Sequence, residues 1–115
     1  MKCKRGDVVL VLFPQSDLRT SKRRPALVVQ SNDLGTGLPQ TVVAMITSNL
    51  SRAAHPSRVT IRVATDEGKR SGLRSDSVIL SDNLATAADR LIERAIGSIG
   101  SMDAVDGALR KTLGL

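Results

Sequence analysis

The chain has 115 residues, the usual size of one domain, and we predict a single domain over residues 1–115. Its formal charge of +6 and its pI near 10.5 favour a polyanionic partner such as nucleic acid over an acidic protein surface. Residues 1–24 hold seven of the cationic side chains and only two carboxylates, so one short N-terminal stretch carries most of the excess charge.

Scarce residue types exclude several classes of site. Phe13 is the only aromatic residue, which excludes a platform that stacks successive bases on aromatic rings. His55 and Cys3 are each the only residue of their type, so the chain cannot build a four-ligand zinc site, a disulfide or a pair of catalytic histidines. The apolar run at residues 8–13 is short for a signal-peptide core, and we expect a cytoplasmic protein.

Short runs of aliphatic and β-branched residues predict strands through most of the chain. The predicted strands are residues 8–13, 26–30, 41–47, 57–63, 77–80 and 95–99. Within residues 57–63, Val59 and Ile61 alternate with polar and basic residues, which is typical of a half-buried antiparallel strand with a basic outer face.

The connections are predicted from their polar and turn-forming residues. Residues 14–24 form an exposed loop, 31–40 a hairpin connection, 66–75 a charged turn and 87–94 a short helical turn. A C-terminal amphipathic helix follows Ser101, a candidate N-cap, because apolar residues recur at intervals of three and four. These apolar residues are Met102, Val105, Ala108, Leu109 and Leu113. Antiparallel strands and one closing helix predict a small, strongly bent sheet or barrel.

The strongest local feature is the run Lys22-Arg23-Arg24, which Pro25 follows. One interpretation of this run is a solvated loop that improves solubility. The other is a phosphate-binding cluster, because the planar guanidinium of arginine stays charged and can hold a phosphate bidentately. Arg24 is the best placed of the three, since the proline at the strand start restrains its backbone.

A second polar cluster ends the third predicted strand. Thr47, Ser48 and Asn49 are either a turn or cap, or a set of groups that positions a phosphate or a 2′-hydroxyl. A hairpin across residues 31–40 would place Ala26 opposite Met45. Arg24 and Thr47 would then lie at the same end of the sheet, where they could form one site.

Other candidates carry weaker signals. Asp82 and Asn83 follow the fifth predicted strand, where a turn is the simpler interpretation and a carboxylate could also act as a base. His55 is expected to be exposed in a loop, and Cys3 to be an incidental thiol near the terminus.

Taken together, the motifs resemble those of one family. GDVV at residues 6–9, RPALVV at 24–29, MITSN at 45–49, DSVI at 76–79 and DNL at 82–84 are similar, in order and spacing, to motifs of the MazF/PemK toxins. These proteins are toxins of bacterial type II toxin–antitoxin systems. Each motif is short, but together they cover nearly the whole chain.

The resemblance implies a mainly β (α+β) fold: an SH3-like small β-barrel of roughly five to seven antiparallel strands with a C-terminal amphipathic helix. It also implies a homodimer held inactive by a cognate antitoxin protein, and sequence-selective cleavage of single-stranded RNA (mRNA) without a metal or other cofactor. In the family pattern the catalytic arginine falls on Arg24, the catalytic threonine on Thr47 and an acidic base on Asp82. The further residues expected to contact RNA are Arg19, Lys22, Arg23, Ser48, Asn49 and Asn83.

Two other functions remain compatible with the sequence. A CcdB-like toxin shares this barrel and poisons DNA gyrase by binding, and a non-catalytic SH3-like module would bind nucleic acid and leave it intact. The pairing of Arg24 with Thr47 favours the endoribonuclease. In that mechanism the 2′-hydroxyl of the RNA is the nucleophile, which suits a chain with one cysteine and one histidine.

Overall fold

A computed structural model describes residues 3–14, 19 and 21–115. The predicted loop residues 15–18, including Asp17 and Leu18, and residue 20 lie outside the described part of the chain. The strands are β1 (Asp7–Pro14), β2 (Ser21–Val28), β3 (Gln40–Thr47), β4 (Arg58–Ile61), β5 (Ser77–Ala88) and β6 (Ile92–Ser98). The helices are α1 (Asp66–Ser71) and α2 (Asp103–Leu113), with short 3₁₀ turns at Leu50–Arg52 and Asp89–Leu91.

The six strands form one antiparallel sheet in the order β4-β5-β3-β2-β1-β6. Alternating side chains of β1 enter two separate apolar clusters, Val8 on one face and Val9 and Val11 on the other. Helix α2 adds Val105 to the first cluster. The fold is therefore the predicted small α+β type with a C-terminal helix, and its sheet is barrel-like although β4 and β6 are not paired in the described part of the chain.

Six strands occur along the chain in the predicted sequence, but several of their predicted boundaries were wrong. Strand β2 begins at Ser21, within the predicted loop, because antiparallel pairing with β1 extends back from Val8↔Leu27 to Pro14↔Ser21. Strand β5 continues eight residues beyond Leu80. The continuation was not predicted because a bulge interrupts the strand pattern. Three residues of β5, 81–83, are inserted between the pairs Met45↔Leu80 and Ala44↔Leu84.

The segment predicted as a charged turn contains a helix, α1. The Thr65 hydroxyl accepts a hydrogen bond from the Gly68 backbone N–H at 3.0 Å, and acidic residues occupy the first turn. The helix ends at Gly72, whose φ is +73°. The predicted helical turn at 87–94 is shorter, a 3₁₀ turn at Asp89–Leu91.

The C-terminal helix is confirmed, with two local differences. Met102 rather than Ser101 is the N-cap residue, although the Ser101 hydroxyl accepts the Asp103 N–H at 3.3 Å. Leu113, predicted on the buried face, is 55 % exposed. Val105 and Ala108 carry the buried face, and Leu109 packs at its margin.

Glycines bring α1 into direct backbone contact with β6. A Cβ on Gly72 would lie 2.0 Å from the Ile96 carbonyl oxygen, and one on Gly97 would lie 2.3 Å from the Arg70 carbonyl oxygen. Only glycine permits these approaches without a shift of the backbone. The contact fixes the segment between α1 and β5 beside the end of the sheet, where the candidate site lies.

Candidate active site

A groove of about 680 Å³ lies between the ends of β2, β3 and β6 and the segment that joins α1 to β5. Its polar lining consists of Lys22, Arg23, Arg24, Thr47, Ser48, Arg74, Ser75, Ser77 and Arg94. Leu10, Pro25, Ile46, Gly72, Leu73 and Ile96 form the apolar lining. None of these lining residues is acidic, so five cations face the groove without a carboxylate among them.

Arg24 and Thr47 both line this groove, as the predicted strand pairing requires. The pair Ala26↔Met45 confirms the expected register between β2 and β3. Arg24 precedes Ala26 by two residues and Thr47 follows Met45 by two, so antiparallel pairing brings both to one end of the sheet. Arg24 is exposed and Thr47 is half-buried.

The Thr47 side chain is held by its own turn. Its hydroxyl oxygen accepts a hydrogen bond from the Asn49 backbone N–H at 3.1 Å. The hydroxyl proton therefore remains available to donate toward an oxygen in the groove. A guanidinium and a hydroxyl donor that line the same groove form an arrangement suited to a phosphate.

The other two members of the basic run differ from each other. Lys22 and Arg23 both line the groove, but the guanidinium of Arg23 donates to the Glu93 carboxylate at 2.5 Å. This hydrogen bond raises the pKa of Arg23 above its ordinary value. Much of the Arg23 charge is thus neutralised locally, whereas none of the four ion pairs among the described residues involves Lys22 or Arg24.

Of the other predicted RNA-contacting residues, only Ser48 lies among the described lining residues. Asn49 caps the 3₁₀ turn, since its side-chain oxygen accepts from the Ser51 N–H at 3.2 Å and the Ser51 hydroxyl at 2.7 Å. The Asn49 side chain therefore acts as a cap, and its contact with RNA stays a prediction. Arg19 and Asn83 are exposed and lie outside the described lining.

The predicted base, Asp82, also lies outside the described groove lining. It sits in the bulge of β5, where both carboxylate oxygens accept hydrogen bonds from the guanidinium of Arg58, at 2.9 and 2.7 Å. These bonds are the main reason why the pKa of Asp82 is below its ordinary value. A carboxylate whose pKa is lowered is a weaker base than an unpaired one.

Two groove cations were not singled out by sequence reasoning. Arg74 lies in the segment after α1, and Arg94 lies in β6 opposite Leu10 of β1. The sequence signal for Arg94 was hidden because its segment was predicted to be a helical turn. Arg74 lies at the groove because the glycine contacts between α1 and β6 position its segment there. These contacts produce no periodic pattern in the sequence.

No group of three or more His, Cys, Asp or Glu residues suited to a metal ion occurs within residues 3–14, 19 and 21–115. Across the same residues, the structure contains no helix with the length and apolar character needed to cross a membrane.

Comparison with known proteins identifies the family. The family model described as PemK-like, MazF-like toxin of type II toxin–antitoxin system matches residues 4–113. The chain belongs to this family. Endoribonuclease EndoA of Bacillus subtilis is 36 % identical over 119 residues, which cover 100 % of this chain and 97 % of EndoA. Endoribonuclease MazF6 of Mycobacterium tuberculosis is 34 % identical over 107 residues, with 90 % of each chain covered.

Solved structures of similar toxins share the fold. MazF of Deinococcus radiodurans superposes with a TM-score of 0.71 at 23 % identity, covering 100 % of this chain and 99 % of that one. An endoribonuclease from a mycobacterial species, solved in complex with its cognate antitoxin, superposes with a TM-score of 0.76 at 20 % identity. That match covers 99 % of this chain and 97 % of the other. The described fold is therefore that of the MazF/PemK toxins.

Proposed function

We propose that the protein is the toxin of a type II toxin–antitoxin system and an endoribonuclease that cleaves single-stranded mRNA. Family membership and curated relatives named as endoribonucleases support this activity. The single structural observation that carries the proposal is the groove in which Arg24 and Thr47 lie together, among cations and without a described acidic neighbour in the lining. The RNA acted on by such a toxin is in the cytoplasm, where we expect the protein to work.

The proposed reaction uses a nucleophile that belongs to the substrate. The 2′-hydroxyl loses its proton and its oxygen bonds to the adjacent phosphorus, while the bond from phosphorus to the 5′-oxygen breaks. The departing 5′-oxygen takes up a proton, which leaves a 2′,3′-cyclic phosphate and a 5′-hydroxyl. The protein has to stabilise the negative charge on the phosphorane and orient the reacting groups.

Arg24 is the residue proposed to meet that charge. Preorganised donors aimed at developing charge are commonly the largest single contribution to catalysis, about 3–4 kcal/mol for one donor. Thr47 is proposed to donate its hydroxyl to a non-bridging phosphate oxygen or to orient the 2′-hydroxyl. We do not assign proton removal to Asp82, because its carboxylate is paired with Arg58 and the residue lies outside the described groove lining.

The cognate partner is proposed to be an antitoxin whose docking segment is acidic. Similar toxins have been solved as complexes with an antitoxin. Lys22, Arg24, Arg74 and Arg94 would attract carboxylates as they attract phosphates. We further propose that the toxin is a homodimer, as the family resemblance implies.

One experiment tests the reaction. Purified protein is incubated with mixed-sequence RNA in the presence of a chelator, and the new ends are mapped. We expect 2′,3′-cyclic phosphate and 5′-hydroxyl ends at preferred sequences, and no cleavage where deoxyribose replaces the ribose before the scissile phosphate. Cleavage at that deoxyribose position would overturn the mechanism. Intact RNA together with loss of gyrase supercoiling would instead indicate a CcdB-like toxin.

A further inference from the structure

The groove holds more cationic side chains than one scissile phosphate requires. Arg24 and Thr47 line one part of it, and two further exposed arginines, Arg74 and Arg94, line it from a different pair of elements. Neither takes part in any of the four ion pairs found among the described residues. By contrast Arg5, Arg23, Arg58 and Arg62 are each paired with a carboxylate.

The register of the strands separates Arg94 from Arg24. Arg94 of β6 is opposite Leu10 of β1, and Leu10 is in turn opposite Pro25 of β2, the neighbour of Arg24. The row crosses two strand spacings, about 10 Å in total. The backbone positions of the two arginines are therefore about two strand spacings apart, and a strand of RNA that lies across β2, β1 and β6 would pass both.

Arg74 is held on the same side as Arg94. It lies two residues after Gly72, whose backbone approaches Ile96 of β6 so closely that a Cβ would overlap the carbonyl. Ile96 and Arg94 both line the groove, and so do Ser75 and Ser77 beside Arg74. The backbone carrying the two arginines is thus fixed before any ligand arrives, which lowers the entropic cost of binding.

From this arrangement we infer that Arg74 and Arg94 form a second phosphate-binding subsite, which holds a phosphodiester next to the one cleaved at Arg24 and Thr47. The inference rests on the proposed function, because it takes the ligand of the groove to be an RNA strand. Arginine suits this role, since its planar fork binds phosphate bidentately and remains charged. The subsite would place the RNA strand along the groove, so it would act through binding and leave the chemical step to Arg24.

The test uses 2′-O-methyl RNA of about ten nucleotides, a length that one nucleic-acid groove can cover and that cannot be cleaved. In successive probes one phosphodiester is replaced by a neutral methylphosphonate. Binding is measured for the natural protein, for the double variant Arg74→Ala/Arg94→Ala, and for Arg110→Ala, which removes an exposed cation on α2. A charge-preserving double variant, Arg74→Lys/Arg94→Lys, guards against a loss caused by misfolding.

We expect the alanine double variant to bind the unmodified probe about tenfold more weakly. Its slope of log affinity against log salt should be shallower by about 0.7 for each phosphate that the protein no longer neutralises. One neutral linkage beside the scissile position should weaken binding to the natural protein and to Arg110→Ala, yet have no further effect on the alanine double variant. The lysine variant should regain most of the affinity. In cleavage assays KM should rise while kcat stays within about twofold.

The outcomes separate this inference from the proposed function. Natural protein that cleaves RNA, with an alanine double variant that binds and cleaves like Arg110→Ala, would overturn the subsite alone. Natural protein that leaves RNA intact but shows the linkage-specific loss would overturn the proposed cleavage and support the subsite. Natural protein that neither binds nor cleaves RNA would overturn both.

Discussion

Two regions of the molecule carry arginines, and they differ in whether carboxylates hold them. At the β4 edge Arg58 is paired with Asp82 at 2.7 Å, and Arg62 with Asp76 at 3.2 Å. Asp76 also accepts the Val63 N–H, and this hydrogen bond is the main cause of its lowered pKa. In the groove, four of the five cations take part in no ion pair among the described residues.

The comparison shows that the number of cations in a segment is a poor guide to where a polyanion binds. The predicted strand at 57–63 has a basic outer face in the sequence, but its arginines are neutralised by carboxylates of the segment 76–82. Arg5 belongs to the most basic stretch of the chain and is paired with Asp106 of α2. The groove differs from the β4 edge in that most of its cations are not paired with a carboxylate in the described part of the chain.

The largest expected effect comes from removing the groove cation that is proposed to meet the reacting phosphate. Arg24→Ala should lower the rate of RNA cleavage by about two orders of magnitude or more, because it removes the guanidinium that is proposed to stabilise the developing charge. Initial rates on a fluorescent RNA measure the loss, and circular dichroism verifies the fold. Arg62→Ala, which removes a paired arginine at the β4 edge, is the matched control. Near-normal cleavage by folded Arg24→Ala protein would contradict the role of Arg24.

A smaller loss is expected at Thr47, where the contribution is a hydroxyl rather than a charge. Thr47→Val keeps the shape and removes the hydroxyl, and we expect a decrease of about one to two orders of magnitude in kcat/KM. Thr47→Ser restores the hydroxyl and should retain most activity. Because Thr47 also accepts the Asn49 N–H, thermal unfolding of both variants is measured alongside. Equal activity of the valine and serine variants would show that the hydroxyl has no part in the reaction.

The meeting of Arg24 and Thr47 is the part of the site that could be predicted from the sequence alone. The pairing Ala26↔Met45 follows from hairpin length, and with it the meeting of Arg24 and Thr47. The other wall of the groove depends on a backbone contact between Gly72 and Ile96, residues 24 positions apart in the chain. Hydrophobic periodicity contains no information about such a contact, so the positions of Arg74 and Arg94 in the groove could not be predicted. The ion pair that holds Asp82 is equally long-range, because its partner Arg58 lies on another strand.

Asp82, at the β4 edge, is expected to contribute to stability rather than to cleavage. Asp82→Asn should leave kcat/KM within about threefold, since the carboxylate lies outside the described groove lining and serves as the partner of Arg58. It should lower Tm slightly at neutral pH, where the exposed ion pair contributes modestly. The pKa of folded Asp82 is lowered, so its stabilising effect is complete above the unfolded value of about 3.9 and is lost as pH falls through the folded value.

The Tm difference between Asp82→Asn and the natural protein should therefore be constant from pH 7 to pH 5 and shrink below about pH 4. Thermal unfolding across this range measures it. Loss of activity as complete as that of Arg24→Ala, with an unchanged Tm, would instead make Asp82 the general base and would reverse the distinction between the two regions.

The smallest effect on RNA binding is expected at Arg23, which combines a property of each region. This residue lines the groove and yet is paired with Glu93, as the arginines of the β4 edge are paired. Glu93→Gln should release the guanidinium, tighten the binding of uncleavable RNA about two- to threefold and steepen its salt dependence. Asp103→Asn, an exposed carboxylate on α2, controls for the general change in net charge. In an Arg23→Ala background the gain from Glu93→Gln should fall to that of the control, because there is then no cation to release. A gain that persists without Arg23 would mean that Glu93 repels the RNA directly, and the pairing of a groove cation would have no influence on binding.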